Sequence, residues 1–418
     1  MVLQAGTGFG GAAREFYSHH RILIVSVVLS LVGIATGTAT AMSLLQNATV
    51  PEPLVLGAGA ALAAGCCAVQ TRHLGLAALT ALAPLPGLIW AAPLSDGASF
   101  GAVPFMAYAF GFAVAALLAQ AIVERVLDGK DDEYPWRAAG AALALMLVLA
   151  VFWFWGTDAS GAAVQAVTDA VLCAASALVL LPIGASLLHL DESFVARANR
   201  VLERRRRILE RLAFLATPRW ALSFTGIALV FLALGWFGAE PTMRTGGAAL
   251  LLRLASVGVV IAGAGVFARG WREGLAVGLI GAVVCLLSLW ATAVGARDVV
   301  APVGVLLATS VALFLALHAG RRALRYSARE TPLEAWRRTI EDTAGSQVFA
   351  GAGALSALLP AVAVWPGYAP LAIALFAAGF SGTVLAPAAV TALVSLLPRR
   401  RSVEDLYGSR RKRPVPQS

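Results

Sequence analysis

Residues Asp191 to Arg219 read DESFVARANRVLERRRRILERLAFLATPR and form the longest polar interruption in an otherwise apolar chain. Apolar residues recur in this stretch at steps of three and four, which predicts an amphipathic helix with a basic face and Asp191 as its N-cap. The stretch includes four consecutive arginines that we expect to bind the membrane surface, with Arg205 the one break in the apolar stripe: Arg204, Arg205, Arg206 and Arg207. Such a helix lies along a membrane surface with its arginines toward anionic head groups, and a solvated linker helix is the alternative. On either interpretation the stretch divides the chain into two membrane halves.

The composition is that of a membrane protein. Of the 418 residues, 59% are hydrophobic and 13% are charged, and the mean hydropathy is +0.79. A soluble domain has a charged fraction of about 25%. The net charge of +9 is concentrated in the central stretch and in the tail Pro398–Ser418. Basic cytoplasmic loops explain this distribution, so nucleic acid is not an expected partner.

Twelve apolar runs are long enough to cross a bilayer as helices, since about 20 residues suffice. The runs are 21–46, 54–70, 74–94, 98–123, 137–157, 161–190, 220–239, 246–268, 271–295, 299–320, 343–365 and 369–397. The predicted fold is therefore an all-α polytopic membrane protein. Its predicted domains are a six-helix repeat over 1–190, the basic helix or linker over 191–219, a second six-helix repeat over 220–398, and a basic cytoplasmic tail over 399–418. Prolines inside the runs, among them Pro84, Pro86 and Pro360, predict kinks.

The basic residues predict the orientation. With a cytoplasmic N-terminus, the inside segments hold 29 of the 32 Lys and Arg residues, that is, all except Arg244, Arg253 and Arg297. The positive-inside rule then places both termini in the cytoplasm, and we expect the protein in the inner (cytoplasmic) membrane. The outside loops are too short to fold into domains.

Short motifs repeat between the halves at nearly constant offset. The dipeptide at Trp90 recurs at Trp290, and the one at Trp136 recurs at Trp336. Two further motifs recur in the same order: Gly75-Leu76-Ala77 as Gly274-Leu275-Ala276, and Val179-Leu180-Leu181-Pro182 as Val384-Leu385-Ala386-Pro387. Because each half has an even number of predicted helices, both halves enter the membrane from the same side. The sequence therefore predicts two parallel six-helix repeats.

The second half resembles the membrane domain of the resistance–nodulation–division (RND) transporters, in particular the MmpL-like lipid exporters. The resemblance runs from Arg272 through Pro398 and includes LALHAGRR at 315–322, TPLEAW at 331–336, Thr339 and GSQV at 345–348. It implies a lipid-exporter fold. The first half resembles the same pattern more weakly.

Two departures from that family bear on the mechanism. The family has large exported domains after the first and seventh helices, where this chain has only Gln46–Pro53 and Glu240–Thr245. A separate partner protein could supply such a domain outside the membrane. The family's proton relay uses acidic residues in the fourth and tenth helices, and here neither run 98–123 nor run 299–320 contains an acid.

Polar residues inside the apolar runs are the candidate functional residues, because polar groups are costly in lipid. Asp169 and Arg253 lie at matching depth in the sixth and eighth runs, which makes them a candidate ion pair, while snorkelling of Arg253 or protonation of Asp169 are the alternatives. Further candidates for contact with a substrate are Tyr108, Gln120, Ser310 and His318. Tyr108 and Ser310 could equally bond to neighbouring backbone, and His318 could face head groups.

The sequence favours a transporter, or a degenerate relative, for a hydrophobic or lipid-like molecule, with the lipid bilayer as its environment. A non-transporting scaffold or partner subunit that has lost the proton relay is one alternative, and a major-facilitator-type transporter is another. No enzyme is predicted: the motif at Ser99 lacks the strand–turn–helix context of a nucleophile elbow, and Ser381 has no predicted base within reach. No cofactor or metal site is predicted.

Overall fold

The computed structural model describes residues 52–71, 73–91, 102–128, 136–154, 160–188, 300–327, 330 and 332–380. The predictions for Arg204, Arg205, Arg206, Arg207 and Arg253, and hence for the pair of Arg253 with Asp169, lie outside these ranges. The same holds for Ser99, Ser381, the seventh to ninth apolar runs and both terminal segments.

Within the described ranges every regular element is a helix. The first-half helices are α1 (Glu52–Thr71), α2 (Leu74–Leu82), α3 (Leu85–Ala91), α4 (Ala102–Asp128), α5 (Trp136–Phe154) and α6 (Ser160–Leu187). The second-half helices are α7 (Val300–Ser327), α8 (Pro332–Val364) and α9 (Ala369–Phe380), with a short 3₁₀ turn at Pro366–Tyr368 between the last two. The protein is therefore helical, as the apolar runs predicted.

Five of these helical stretches are long and apolar enough to cross a membrane: Glu52–Thr71, Leu74–Ala91, Val103–Val123, Gly161–Leu187 and Ser346–Val364. Three shorter apolar helices accompany them: Arg137–Val151, Leu306–Ala319 and Pro366–Phe376. Large apolar side chains such as Leu54, Val164 and Phe376 remain exposed. In a bilayer, lipid chains solvate such side chains, so length, composition and surface all fit a membrane-embedded protein.

Helices α4 and α7 form the centre of the described bundle. Every residue from Phe105 to Gln120 is buried, as is every residue from Leu306 to Leu317. The two helices pack against each other, and the Phe110 and Phe314 rings meet edge to face with centroids 6.0 Å apart. A helix buried on all sides needs no polar face, which explains why neither sequence shows a clear amphipathic period.

The other described helices surround this pair. Helix α4 packs most extensively against α6 and α8, whereas α7 packs against α5, α8 and α9. Helix α1 lies along α8, and α3 lies along α6. Small residues allow the closest approaches: Gly59 lies against the backbone of Ala357, and Gly87 lies against the backbone at Leu172. Such glycines let helix backbones approach closely in lipid, where dispersion contacts drive association.

The third apolar run is broken in its middle. Helix α2 ends at Leu82, residues Ala83 and Pro84 form a turn, and α3 begins at Leu85. Pro84 and Pro86 have no backbone N–H, so neither can continue the helical hydrogen-bond ladder. The predicted kink is therefore a discontinuity with two short helices rather than a bend in one.

Helix α8 begins eleven residues before the apolar run that starts at position 343, because Pro332 occupies its first position. Helix α7 likewise continues to Ser327, past the end of its run. Polar contacts join the two extensions: the Tyr326 hydroxyl donates to the Asp342 carboxylate, and Arg338 pairs with Glu330. The Arg338 guanidinium also lies 5.6 Å from the centre of the Tyr326 ring. The tenth and eleventh runs thus continue into one polar helical hairpin.

Candidate functional site

The break between α2 and α3 brings together several of the polar groups inside the bundle. The Tyr108 hydroxyl on α4 donates to the carbonyl of Ala81 at 2.7 Å. The Ser176 hydroxyl on α6 donates to the carbonyl of Pro84 at 3.3 Å and to that of Cys173 at 3.0 Å. Side chains of two neighbouring helices thus donate to carbonyls at a break in a third helix, and the Pro84 carbonyl also accepts from the backbone N–H of Gly87 at 3.1 Å. We call Ala81, Pro84, Tyr108, Cys173 and Ser176 the broken-helix junction.

Close helix packing holds this junction. A Cβ atom at Gly111 of α4 would lie 2.7 Å from Cβ of Cys173 and 3.0 Å from Cβ of Pro84. A Cβ atom at Gly87 of α3 would overlap the backbone at Leu172 and Cys173. Three helices therefore converge on Cys173, which is fully buried. Only glycine allows this convergence at positions 87 and 111.

Asp169 lies one turn before Cys173 on the same face of α6, and its exposed fraction is 3%. Within the described ranges no side chain forms a hydrogen bond or an ion pair with it, and the Cys173 thiol is within electrostatic range of its carboxyl. At about 1.5 Å per residue it lies roughly 14 Å from the start of α6. The structure thus places this predicted residue in the bundle interior, beside the broken-helix junction.

Two buried glutamines form a second polar cluster. Gln70 Nε2 on α1 donates to Gln120 Oε1 on α4 at 3.0 Å, and both side chains are 5% exposed. On α8, Gln347 is fully buried and its Nε2 donates to the carbonyl of Leu315 on α7 at 2.9 Å. These bonds tie α1 to α4 and α8 to α7.

The helix register places Gln347 at the level of this pair. Phe105 near the start of α4 packs against Trp365 near the end of α8, with ring centroids 6.1 Å apart. Phe112, two turns along α4, lies against Gly353, so the two helices are antiparallel. Gln120 is eight residues beyond Phe112 and Gln347 is six residues before Gly353, which are similar displacements of roughly 9–12 Å. We call Gln70, Gln120 and Gln347 the glutamine layer.

The glutamine layer is incompletely satisfied. The side-chain oxygens Oε1 of Gln70 and of Gln347 are buried and have no hydrogen-bond partner among the described residues. A buried acceptor left unpaired costs on the order of 1–3 kcal/mol. Both groups accept hydrogen bonds, so a water molecule, a hydroxyl group or an ammonium group is the kind of species that would satisfy them.

The two remaining predicted candidates, Ser310 and His318, both lie on α7. The Ser310 hydroxyl on α7 donates to the carbonyl of Leu307 in its own helix at 2.6 Å. His318 is half-buried, two turns further along α7. Of the expected candidates, the structure therefore brings Asp169 and Tyr108 toward one junction and Gln120 into the glutamine layer, while Ser310 bonds within its own helix.

The sequence reasoning missed Gln70, Gln347 and Ser176. The two glutamines could have been identified, because each stands inside or at the edge of an apolar run, where a polar side chain costs as much in lipid as those of Tyr108 and Gln120. Ser176 could not, since serine commonly bonds to its own helix backbone.

Two comparisons with known proteins found no match to this chain. No protein-family model matches the chain, and no curated protein matches it either. Within the described ranges no three His, Cys, Asp or Glu side chains lie close enough to hold a metal ion. The functional argument therefore depends on the geometry of the helices and on their polar groups.

Proposed function

We propose that this protein is a transporter for a hydrophobic or lipid-like molecule, with twelve transmembrane helices in two parallel repeats of the RND type. The observation that carries the proposal is the centre of the bundle. In the described part of the chain, α4 and α7, which are the fourth and tenth apolar runs, are buried throughout 105–120 and 306–317 and pack on each other. Two parallel repeats related by one axis would place equivalent helices at the centre of the bundle, on either side of that axis.

The packing around the centre supports the same arrangement. The fourth run packs on the sixth and the eleventh (α4 on α6 and α8), whereas the tenth packs on the fifth, the eleventh and the twelfth (α7 on α5, α8 and α9). If the two halves are exchanged, so that each run number changes by six, the sixth and eleventh runs become the twelfth and fifth, which are two of the three neighbours of the tenth run. The fifth and sixth runs also pack together, as do the eleventh and twelfth.

The broken third run supports transport. Transporters place discontinuous helices at their binding sites, because interrupted backbone in the membrane is tolerated where it is buried or lines a cavity. Here the break lies beside Asp169, which has no hydrogen-bond or ion-pair partner in the described part of the chain. We infer that a substrate or a coupling proton would meet the protein at this junction.

Transport is tested by moving a fluorescent phospholipid analogue between the leaflets of vesicles that contain the purified protein. We expect faster transfer than in protein-free vesicles, and lipid accumulation in cells from which the protein is deleted. Transfer at the protein-free rate, by protein that elutes as a single folded species, contradicts the proposal. Vesicles that contain an unrelated helical membrane protein are the control for non-specific scrambling.

A non-transporting scaffold or partner subunit is the second candidate, and one observation favours it. The central helices have no acid in their apolar runs, and the hydroxyls of Tyr108 and Ser310 donate to backbone carbonyls. A bundle core in which polar groups serve only packing needs no substrate. Absent flux together with normal folding is the result that selects this candidate.

We propose the inner membrane as the location, with both termini cytoplasmic, on the basis of the basic residues. Single cysteines at Thr49, Thr242 and Ser402, in a background without the four native cysteines, test the topology. The first two should react with an impermeant maleimide in intact cells and the third should not. The reverse labelling pattern rejects this orientation.

A further inference from the structure

Three aromatic rings meet at the end of the bundle where α4 begins and α8 ends. The centroid of the Phe105 ring lies 6.1 Å from that of Trp365 and 6.4 Å from that of Tyr368, and the last two are 5.8 Å apart. Phe105 is buried, whereas Trp365 and Tyr368 are half-buried and present part of their surface at the edge of the bundle. The rings meet at tilted or edge-to-face angles, as their quadrupoles favour.

Glu52, the first residue of α1, lies at the same end. Helix α1 runs antiparallel to α8: Gly59 lies against Ala357, and the Glu52 charge is within electrostatic range of Tyr368. The Glu52 side chain is half-buried, and its oxygen Oε2 is buried with no hydrogen-bond partner among the described residues. We call Glu52, Phe105, Trp365 and Tyr368 the aromatic corner.

The described part of the chain provides no cation for this carboxylate. Arg322 and Arg338 lie at the opposite end of the bundle, where α7 ends and α8 begins, and Arg137 lies at the start of α5, also at that end. A carboxylate oxygen that is buried without a hydrogen-bond donor or a positive charge is costly. The aromatic corner therefore combines a carboxylate that needs a positive charge with ring faces that attract one.

We propose that the aromatic corner binds the ammonium group of an organic cation. Aromatic faces attract cations electrostatically, most strongly those that lose little hydration on binding, and alkylated ammonium groups are of that kind. One carboxylate and one phenol offer too few oxygen ligands for Ca²⁺, which takes six to eight. The ammonium group could belong to a lipid head group, because the corner lies at the end of three candidate spans, or to a free organic cation. Binding here does not depend on transport.

The experiment is calorimetric titration of the full-length protein in a non-ionic detergent with tetramethylammonium chloride, and with sodium chloride at equal ionic strength. We expect saturable binding of tetramethylammonium and none of sodium. Glu52→Gln should weaken binding by on the order of tenfold, and Trp365→Leu by about 2-fold to 30-fold, the range that cation–π energies imply. Trp90→Leu, which removes a 48% exposed tryptophan elsewhere on the first half, should leave binding unchanged.

Saturable binding that is equal in the Glu52→Gln variant and the unchanged protein overturns the proposal, as does no binding by unchanged protein with a normal melting transition. A third titrant, a short-chain phosphocholine below its micelle concentration, identifies the source of the ammonium group. Tighter binding than tetramethylammonium assigns a lipid head group, and equal binding assigns a free organic cation. Since these titrations need no flux, they separate this site from the transport proposal.

Discussion

Helices α4 and α7 are both buried along the centre of the bundle, yet their polar side chains have different partners. On α4, Tyr108 donates to a broken neighbouring helix and Gln120 accepts from α1. On α7, Ser310 donates to its own helix, and the carbonyl of Leu315 accepts from α8. Inside their apolar runs, Tyr108 and Gln120 of α4 thus bond to other helices, whereas Ser310 of α7 bonds to its own helix. Two central helices whose apolar runs contain no acid can therefore contribute very differently to stability.

The largest expected effect comes from filling the space at Gly111 on α4. Gly111→Leu places a side chain against Cys173 and the Pro84 ring, so overpacking should destabilise the protein by about 3 kcal/mol. Gly304→Leu on α7 should cost less, because its neighbour is the flexible side chain of Leu371. The measurement is the free energy of unfolding in detergent. Gly57→Leu on α1, which meets no atom within 4 Å, is the control.

If Gly304→Leu proves as costly as Gly111→Leu, tight packing at a glycine is not specific to α4, and the two central helices do not differ in this respect.

Removing the Tyr108 hydroxyl should have the next largest effect. Tyr108→Phe keeps the ring but deletes the donor to the Ala81 carbonyl at the helix break. Losing a partner of a buried polar group costs about 1–3 kcal/mol. A lower unfolding midpoint, with unchanged helical content by circular dichroism, is the expected result. An unchanged midpoint would mean that the Ala81 carbonyl finds another donor and that α4 does not stabilise the break.

The bond between Gln70 and Gln120 should show a smaller, measurable coupling. In a double-mutant cycle with Gln70→Leu and Gln120→Leu, we expect an interaction free energy of about 0.6 kcal/mol, typical of hydrogen bonds between membrane helices. Gln165→Leu, at a half-buried glutamine on α6, combined with Gln70→Leu is the control, because separated sites add independently. Strict additivity in both pairs argues against a direct bond between α1 and α4.

Ser310→Ala should have the smallest effect. Its hydroxyl shares the Leu307 carbonyl with the helical N–H four residues on, so deleting it leaves no buried group unsatisfied. We expect a change in unfolding free energy within about 0.5 kcal/mol. A loss comparable to that of Tyr108→Phe would indicate that Ser310 has a further role on α7.

Much of the helix layout was predictable from the sequence, because the length of an apolar run is set by the bilayer. The run predicted at 98–123 is the apolar part of α4, and the one at 161–190 matches α6 within a few residues. Pro84 and Pro86 located the break in the third run. The early start of α8 at Pro332 was not predicted, because its first turns are polar and carry no membrane signal. The predicted count of twelve helices extends to runs outside the described ranges and stays a prediction.

The candidate site was less predictable, for a physical reason. The free-energy cost of placing a polar side chain in lipid identified Asp169, Tyr108 and Gln120 as residues that need partners. It did not identify those partners, because register between helices far apart in sequence depends on packing. The bond from Gln70 to Gln120 spans 50 positions, and the approach of Phe112 to Gly353 depends on a glycine that resembles many others in the chain.

The most direct test of the central claim, transport without an acidic relay in α4 and α7, is lipid flux by the Asp169→Asn variant in vesicles with and without a proton gradient. Asp169 is the acid buried within the length of a described span, whereas Glu52 stands at the first position of α1, so a proton relay through the described part of the bundle must use Asp169 or be absent. We predict flux by the unchanged protein and, in Asp169→Asn, flux that does not respond to the gradient. Flux in Asp169→Asn that still increases with the proton gradient would contradict the claim, because a relay would then exist without this residue.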